Sequence, residues 1–180
     1  MKTDLDSHEV NILLDFHIGS KTFGDQIPMR FRIRQQDMFG ENDDNSDTPF
    51  CWLRLFAPRF AAWGMACLRL LPRRQRAALD LDDYGQEILF KLDGDLVAVC
   101  STILGVTARV KYQTLFVAWA DFGQRVYKEA IQQPNGSSFF GWWQLLNEDP
   151  PPLLEEELTR ESYFSERKEC IWEERSGDKL

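Results

Sequence analysis

The residues that could carry out acid–base, nucleophilic or metal chemistry are few and scattered. The chain has two histidines, His8 and His17. A zinc centre needs three or four nitrogen or sulfur ligands brought together, and two histidines on or beside one strand do not supply them. A histidine-dependent triad would have to use one of the two, and no Gly-x-Ser-x-Gly elbow is present to present a serine. The four cysteines, Cys51, Cys67, Cys100 and Cys170, form no Cys-x-x-Cys pair. Set among alanine, leucine and valine, they read as reduced, buried thiols, which suits a cytoplasmic protein. Asp80-Leu81-Asp82-Asp83-Tyr84-Gly85 begins like a calcium loop, but Lys91 stands where the bidentate glutamate belongs. Glu166-Arg167-Lys168 has the spacing of some metal-dependent nucleases but no partner acid on a preceding strand. No glycine-rich phosphate loop occurs. These residues predict no catalytic set, no metal ligands and no cofactor. The expectation is a protein that is not an enzyme.

Charge and aromatic residues carry the rest. The chain of 180 residues has a net charge of −8, from 29 acids and 21 bases. Residues 1–50 are net −5, residues 51–144 net +3 and residues 145–180 net −6. An acidic surface repels phosphate backbones, so direct nucleic-acid binding is not expected. It also attracts a basic protein partner. The acids best placed for that are Glu41, Asp43, Asp44 and Asp47, in a stretch without an apolar residue, and Glu155, Glu156 and Glu157 after a triple proline. Trp142 and Trp143, inside Phe139-Phe140-Gly141-Trp142-Trp143, are candidate anchors, because tryptophan is enriched at binding hot spots. The same rings could instead cap the core.

The elements that position these residues follow from periodicity. Val10, Ile12, Leu14, Phe16 and Ile18 alternate with polar residues, which predicts a strand with one buried face. Ile27, Met29, Phe31 and Ile33 alternate with Arg30, Arg32 and Arg34 in the same way. The two form a hairpin in which Asp15 and Glu9 face arginines. Phe50–Phe56 reads as a short buried strand. Ala57–Ala78 favours one or two short helices, interrupted by Gly64 and Pro72. Asp93-Gly94 between apolar runs predicts a type I′ hairpin, and Val106–Lys111 adds a third strand to the meander. Leu115, Trp119, Phe122 and Val126 then define an amphipathic helix ending before Pro134-Asn135-Gly136. The apolar run Phe60–Leu68 is closed by Arg69 and falls short of the ~20 residues of a membrane span. The first residues, Met-Lys-Thr-Asp-Leu-Asp, lack the apolar core of a signal peptide.

The layout of Gln86–Gln132 resembles small bacterial immunity proteins of polymorphic toxin systems. The shared parts are Ile-Leu-Phe-Lys-Leu-Asp-Gly-Asp-Leu-Val-Ala-Val with its tight turn, the strand Val-Thr-Ala-Arg-Val-Lys-Tyr, and the helix Leu-Phe-Val-Ala-Trp-Ala-Asp-Phe-Gly-Gln-Arg-Val-Tyr. The resemblance implies a non-enzymatic protein that binds a cognate toxin in the cytoplasm and blocks its active site or substrate access. It covers neither the acidic loop nor the tail. The expected architecture is one α+β domain over residues 1–180. An antiparallel sheet of about five to six strands is packed by the Leu115–Ile131 helix, with an acidic loop near 40–48 and an acidic helical extension over about 145–180. The expected partner is a protein toxin with a basic active-site surface; no membrane is involved. The alternative is an adaptor or chaperone that binds a secreted effector without inhibiting it. An enzyme built from scattered Asp, Glu and Arg is a more distant third.

Overall fold

A computed structural model describes residues 12–19, 24–39, 53–81, 85–134 and 136–165. The elements run β1 (Ile12–Phe16), β2 (Ile27–Ile33), β3 (Gln36–Asp37), β4 (Leu53–Leu55), α1 (Ala57–Arg74), β5 (Arg76–Asp80), β6 (Glu87–Asp93), β7 (Leu96–Ser101), β8 (Val106–Lys111) and α2 (Tyr112–Ala130). A 3-10 turn (Gly136–Phe139), α3 (Phe140–Asn147), α4 (Pro152–Leu158) and α5 (Ser162–Ser165) complete the chain.

The class is α+β with antiparallel pairing, as the alternation implies. The strands are divided between two four-stranded sheets rather than gathered in one sheet of five or six. In the first sheet β2 pairs along its length with β1, and β3 and β4 pair with β2 at opposite ends. The second is the meander β5-β6-β7-β8. The extra strands escaped notice for physical reasons. β4 falls within the strand expected at Phe50–Phe56, whereas β3, of two residues, is too short to display a period. β5 is Arg-Ala-Ala-Leu-Asp, a composition that favours helix until pairing with β6 overrides it. The hairpin register is as read: Asp15 lies opposite Arg30. The β6–β7 turn centres on Gly94-Asp95, between the paired residues Asp93 and Leu96. Only Gly94 takes a positive φ there, 62°, which fits glycine leading a II′-type turn rather than the I′ turn expected.

α1 is one 18-residue helix where one or two short ones were expected. Two contacts explain why its breakers do not break it. Pro72 cannot donate to the Leu68 carbonyl, but the Tyr112 hydroxyl donates to that carbonyl at 2.9 Å. Gly64 leaves room for Trp119: a Cβ there would lie 2.1 Å from its indole ring. The helix closes at Gln75, whose left-handed φ of 68° lets its N–H reach Leu71 O.

Trp119 is where the layers meet. Its ring is fully buried and packs on Phe31 of the first sheet, Phe90 of the second, Phe60 of α1 and Phe122 of its own helix. Its N–H donates to Ala61 O at 3.1 Å, so the buried polar edge is satisfied. Arg125 ties α2 to the first hairpin by donating to Leu14 O at 2.7 Å. One core cluster therefore joins both sheets to α1, α2 and α3.

Candidate functional site

The dense aromatic run spans the end of the 3-10 turn and the start of α3. The 3-10 turn feeds α3, which lies antiparallel along the C-terminal half of α2. Three contacts fix that register. Leu146 fills the space over Gly123, where a Cβ would come within 2.8 Å of its Cδ2. Trp143 stacks on Tyr127 with ring centroids 3.9 Å apart and planes 20° from parallel. Ala130 and Phe139 share an apolar cleft further along. The cleft holds about 10 Å³, room for roughly one water and no organic ligand.

The two tryptophans turn to different neighbours. Trp142 packs against Phe56 and Trp63, at centroid distances of 5.9 and 6.4 Å. Both are half-buried. Each ring is thus held by packing yet keeps a solvent-facing margin. The most exposed apolar side chains of this seam are different residues: Phe140 at 55% and Ile131 at 45% exposure. Phe140 precedes Trp143 by one helical turn, and Ile131 follows Tyr127 by one turn, so both extend the stacked pair towards the same end. Gln124, Lys128, Gln144 and Asn147 are exposed on the two helices, and Gln132 just beyond the end of α2. The result is an apolar strip on two rigid helices with a polar border. The sequence carried a signal for it. Phe139, Trp142, Trp143 and Leu146 follow the helical period into the cleft, and Phe140 falls outside it.

Two of the tail glutamates, Glu155 and Glu157, are engaged within the chain. Glu155 accepts from Arg73 Nη2 at 2.7 Å and from Arg74 Nε at 2.8 Å. The hydrogen bond from Arg73 is the main reason its carboxyl sits below the ordinary carboxylate range. Arg73 also approaches Asp149 at 3.6 Å, and Arg76 binds Glu161 at 2.6 Å. Glu157 pairs with Arg160. Arg73 and Arg74, exposed at the end of α1, together with Arg76 thus hold the acidic segment. Leu158 anchors that segment in the core. Of the three tail glutamates, Glu156 is the one that is exposed. Glu41, Asp43, Asp44 and Asp47 lie outside the described residues. The structure therefore brings Trp142 and Trp143 together at one seam and places Glu155–Glu157 on a separate segment clamped to α1.

His17 is exposed and His8 lies outside the described residues. No group of three potential metal ligands occurs among the described residues. No described helix is long and apolar enough to cross a membrane. Cys67 is a buried free thiol whose pKa is raised by burial. Cys100 is disulfide-bonded, so the expectation of four reduced thiols does not hold there. No family model matches the chain, and no curated protein or solved structure matches it.

Proposed function

We propose that the protein is an immunity protein. It would bind a cognate bacterial toxin through the α2–α3 seam and neutralise it by occluding its active site or substrate access. The observation that carries the binding part is the strip formed by Phe140, Trp143, Tyr127 and Ile131. Exposed apolar area on rigid helices marks protein contact sites. The stacked pair is already ordered before binding, so little side-chain entropy is lost on contact. Phe140 is the leading anchor, with Trp143 and Trp142 as its supports. The net charge of −8 favours a basic partner surface, as a toxin acting on a phosphate-rich substrate would present. Glu156 contributes to that field, whereas Glu155 is spent on Arg73 and Arg74. The toxin part of the reading rests on the resemblance of residues 86–132.

The compartment proposed with this function is the cytoplasm. The disulfide at Cys100 weighs against it, because disulfides persist in oxidising compartments. Thiol trapping in the producing cell decides between them.

The experiment is co-purification of the tagged protein with the toxin-domain product of the neighbouring gene, followed by titration of that toxin's activity. A stoichiometric complex with lost activity, and an on-rate that falls steeply with salt, supports inhibition by a charged surface. A complex that stays active makes the protein an adaptor instead. A salt-independent on-rate removes the electrostatic part.

A further inference from the structure

In an antiparallel pair, the backbone groups of alternate residues point to the partner strand, and those between them point away. His17 N–H donates to Pro28 O at 3.0 Å, so by the register Leu13, Asp15 and His17 face β2. The N–H and C=O groups of Ile12, Leu14 and Phe16 point away, towards the other edge of β1. Among the described residues no strand pairs with that edge. A free edge is a template for a further strand. Two of its outward groups are taken by side chains. Asp15 turns its carboxylate back on its own strand, where Oδ1 accepts from Phe16 N–H at 2.9 Å. Arg125 reaches across from α2 and donates through Nη2 to Leu14 O at 2.7 Å. Its Nε donates to Asp121 Oδ2 at 3.2 Å, and its Nη1 lies 3.6 Å from the same Asp15 Oδ1 that holds Phe16. All three guanidinium nitrogens are therefore placed, which the planar fork of arginine permits and the point charge of lysine does not. The Asp15 and Arg125 side chains are 47% and 45% exposed, so this edge lies at the surface.

The two occupied groups are those that β1 of a second copy would use. Antiparallel strands related by a two-fold axis at Leu14 place Leu14 opposite itself and Ile12 opposite Phe16. The outward groups then form the ladder. Each Leu14 N–H donates to the other Leu14 O, and each Phe16 N–H to the other Ile12 O. Ile12, Leu14 and Phe16 are all apolar, so the cross-strand pairs in this register match one another. Arg125 withdraws the Leu14 carbonyl from that ladder, and Asp15 withdraws the Phe16 N–H.

We propose that the outer edge of β1 is a self-pairing surface that fits β1 of a second copy, and that Asp15 and Arg125 hold it shut. The contact is autoinhibitory. While it is closed, one chain cannot template on the next; once both side chains are removed, the backbone groups around Leu14 are free to pair. The inference is independent of the toxin-binding reading, because Asp15, Arg125 and β1 are not among the seam residues that carry it.

Amide hydrogen exchange and sedimentation of the full chain test the proposal. In dilute solution the Phe16 amide is expected to exchange about tenfold faster in Asp15→Ala than in the parent, since one local hydrogen bond is lost. Equal rates overturn the Asp15 contact. The double variant Asp15→Ala/Arg125→Ala is expected to self-associate at concentrations at least about tenfold below those the parent requires, because the restored ladder bonds add to the contact. Its Leu14 amide is expected to exchange more slowly as the concentration rises. Arg125→Lys keeps the charge and most of the stem but not the fork, so it tests the latch even if the double variant fails to fold. It is expected to associate more readily than the parent, with the same protection at Leu14. Association of the folded variants no stronger than that of the parent, or association without protection of Leu14, overturns the self-pairing edge.

Discussion

Gly64→Ala is the sharpest test of how the layers are joined. In an exposed helix interior this change would stabilise by about 1 kcal/mol, through helix propensity. Here the new methyl would sit 2.1 Å from Trp119 Cε2 and Cζ2, against ordinary contacts of 3.4 to 4 Å. The ring must move by more than an ångström, yet it is held by Phe31, Phe60, Phe90 and Phe122 on several sides. Overpacking of this kind costs up to ~3 kcal/mol. The displaced indole also loses its bond to Ala61 O, worth ~1 kcal/mol. The net expectation is a loss of about 3 kcal/mol. With a urea m-value of ~2 kcal/mol/M for a chain of this size, the midpoint falls by ~1.5 M. The assay is equilibrium urea unfolding followed by tryptophan fluorescence. Gly141→Ala is the internal control: it lies in α3, a Cβ there meets nothing within 4 Å, and a gain of ~0.5 kcal/mol is expected. A Gly64→Ala midpoint equal to or above that of the parent would refute the packing of α1 against α2 through Trp119.

The remaining predictions concern the tail and the α1 terminus. Glu155 has a folded pKa below its ordinary value of 4.5, so the unfolded chain binds the proton more readily than the folded one. Its contribution to stability is present above about pH 4.5 and disappears as the pH falls through the lower folded value. Protease cleavage of the 148–161 segment is therefore expected to accelerate below that pH, and Glu155→Gln to show the fast rate already at neutral pH. A pH-independent rate in the parent would exclude the Glu155 clamp. Tyr112→Phe removes the donor that satisfies the Leu68 carbonyl over Pro72. It is expected to cost ~1–2 kcal/mol in urea unfolding, since a buried acceptor is left unpaired. If Tyr112→Phe proves neutral, Pro72 needs no such compensation.

Much of the fold was legible because it follows periods that packing enforces. The β1–β2 hairpin, the β6–β7–β8 meander and the α2 stripe all appear where alternation or the 3.6-residue period is sustained over five or more residues. What escaped was set by single tertiary contacts. Nothing local in Pro72 announces that Tyr112, forty positions on, will take over its missing donation. Nothing local in Gly64 announces the indole that fills its place. For the candidate site residues, composition showed density but not placement. Aromatic density pointed at Trp142 and Trp143, and both do lie on the seam. Yet burial of their rings leaves Phe140 as the protruding member. Charge density pointed at Glu155–Glu157, but the run of arginines at 73, 74 and 76 in the same sequence was their nearer partner. Composition reports that opposite charges exist; only the placement of α4 beside the end of α1 makes them meet.

The most direct test of the proposed function is a titration of the toxin-domain partner's activity with the parent protein and with Phe140→Asp. The substitution places a charge in the apolar strip at a side chain that is 55% exposed, so circular dichroism and the unfolding midpoint should remain those of the parent. The account predicts one-to-one inhibition by the parent and a weakening of at least about thirtyfold by the variant, the ~2 kcal/mol typical of a hot-spot residue. Equal inhibition by both proteins would show that the α2–α3 seam is not the binding face. A partner that binds the parent and remains fully active would contradict neutralisation itself.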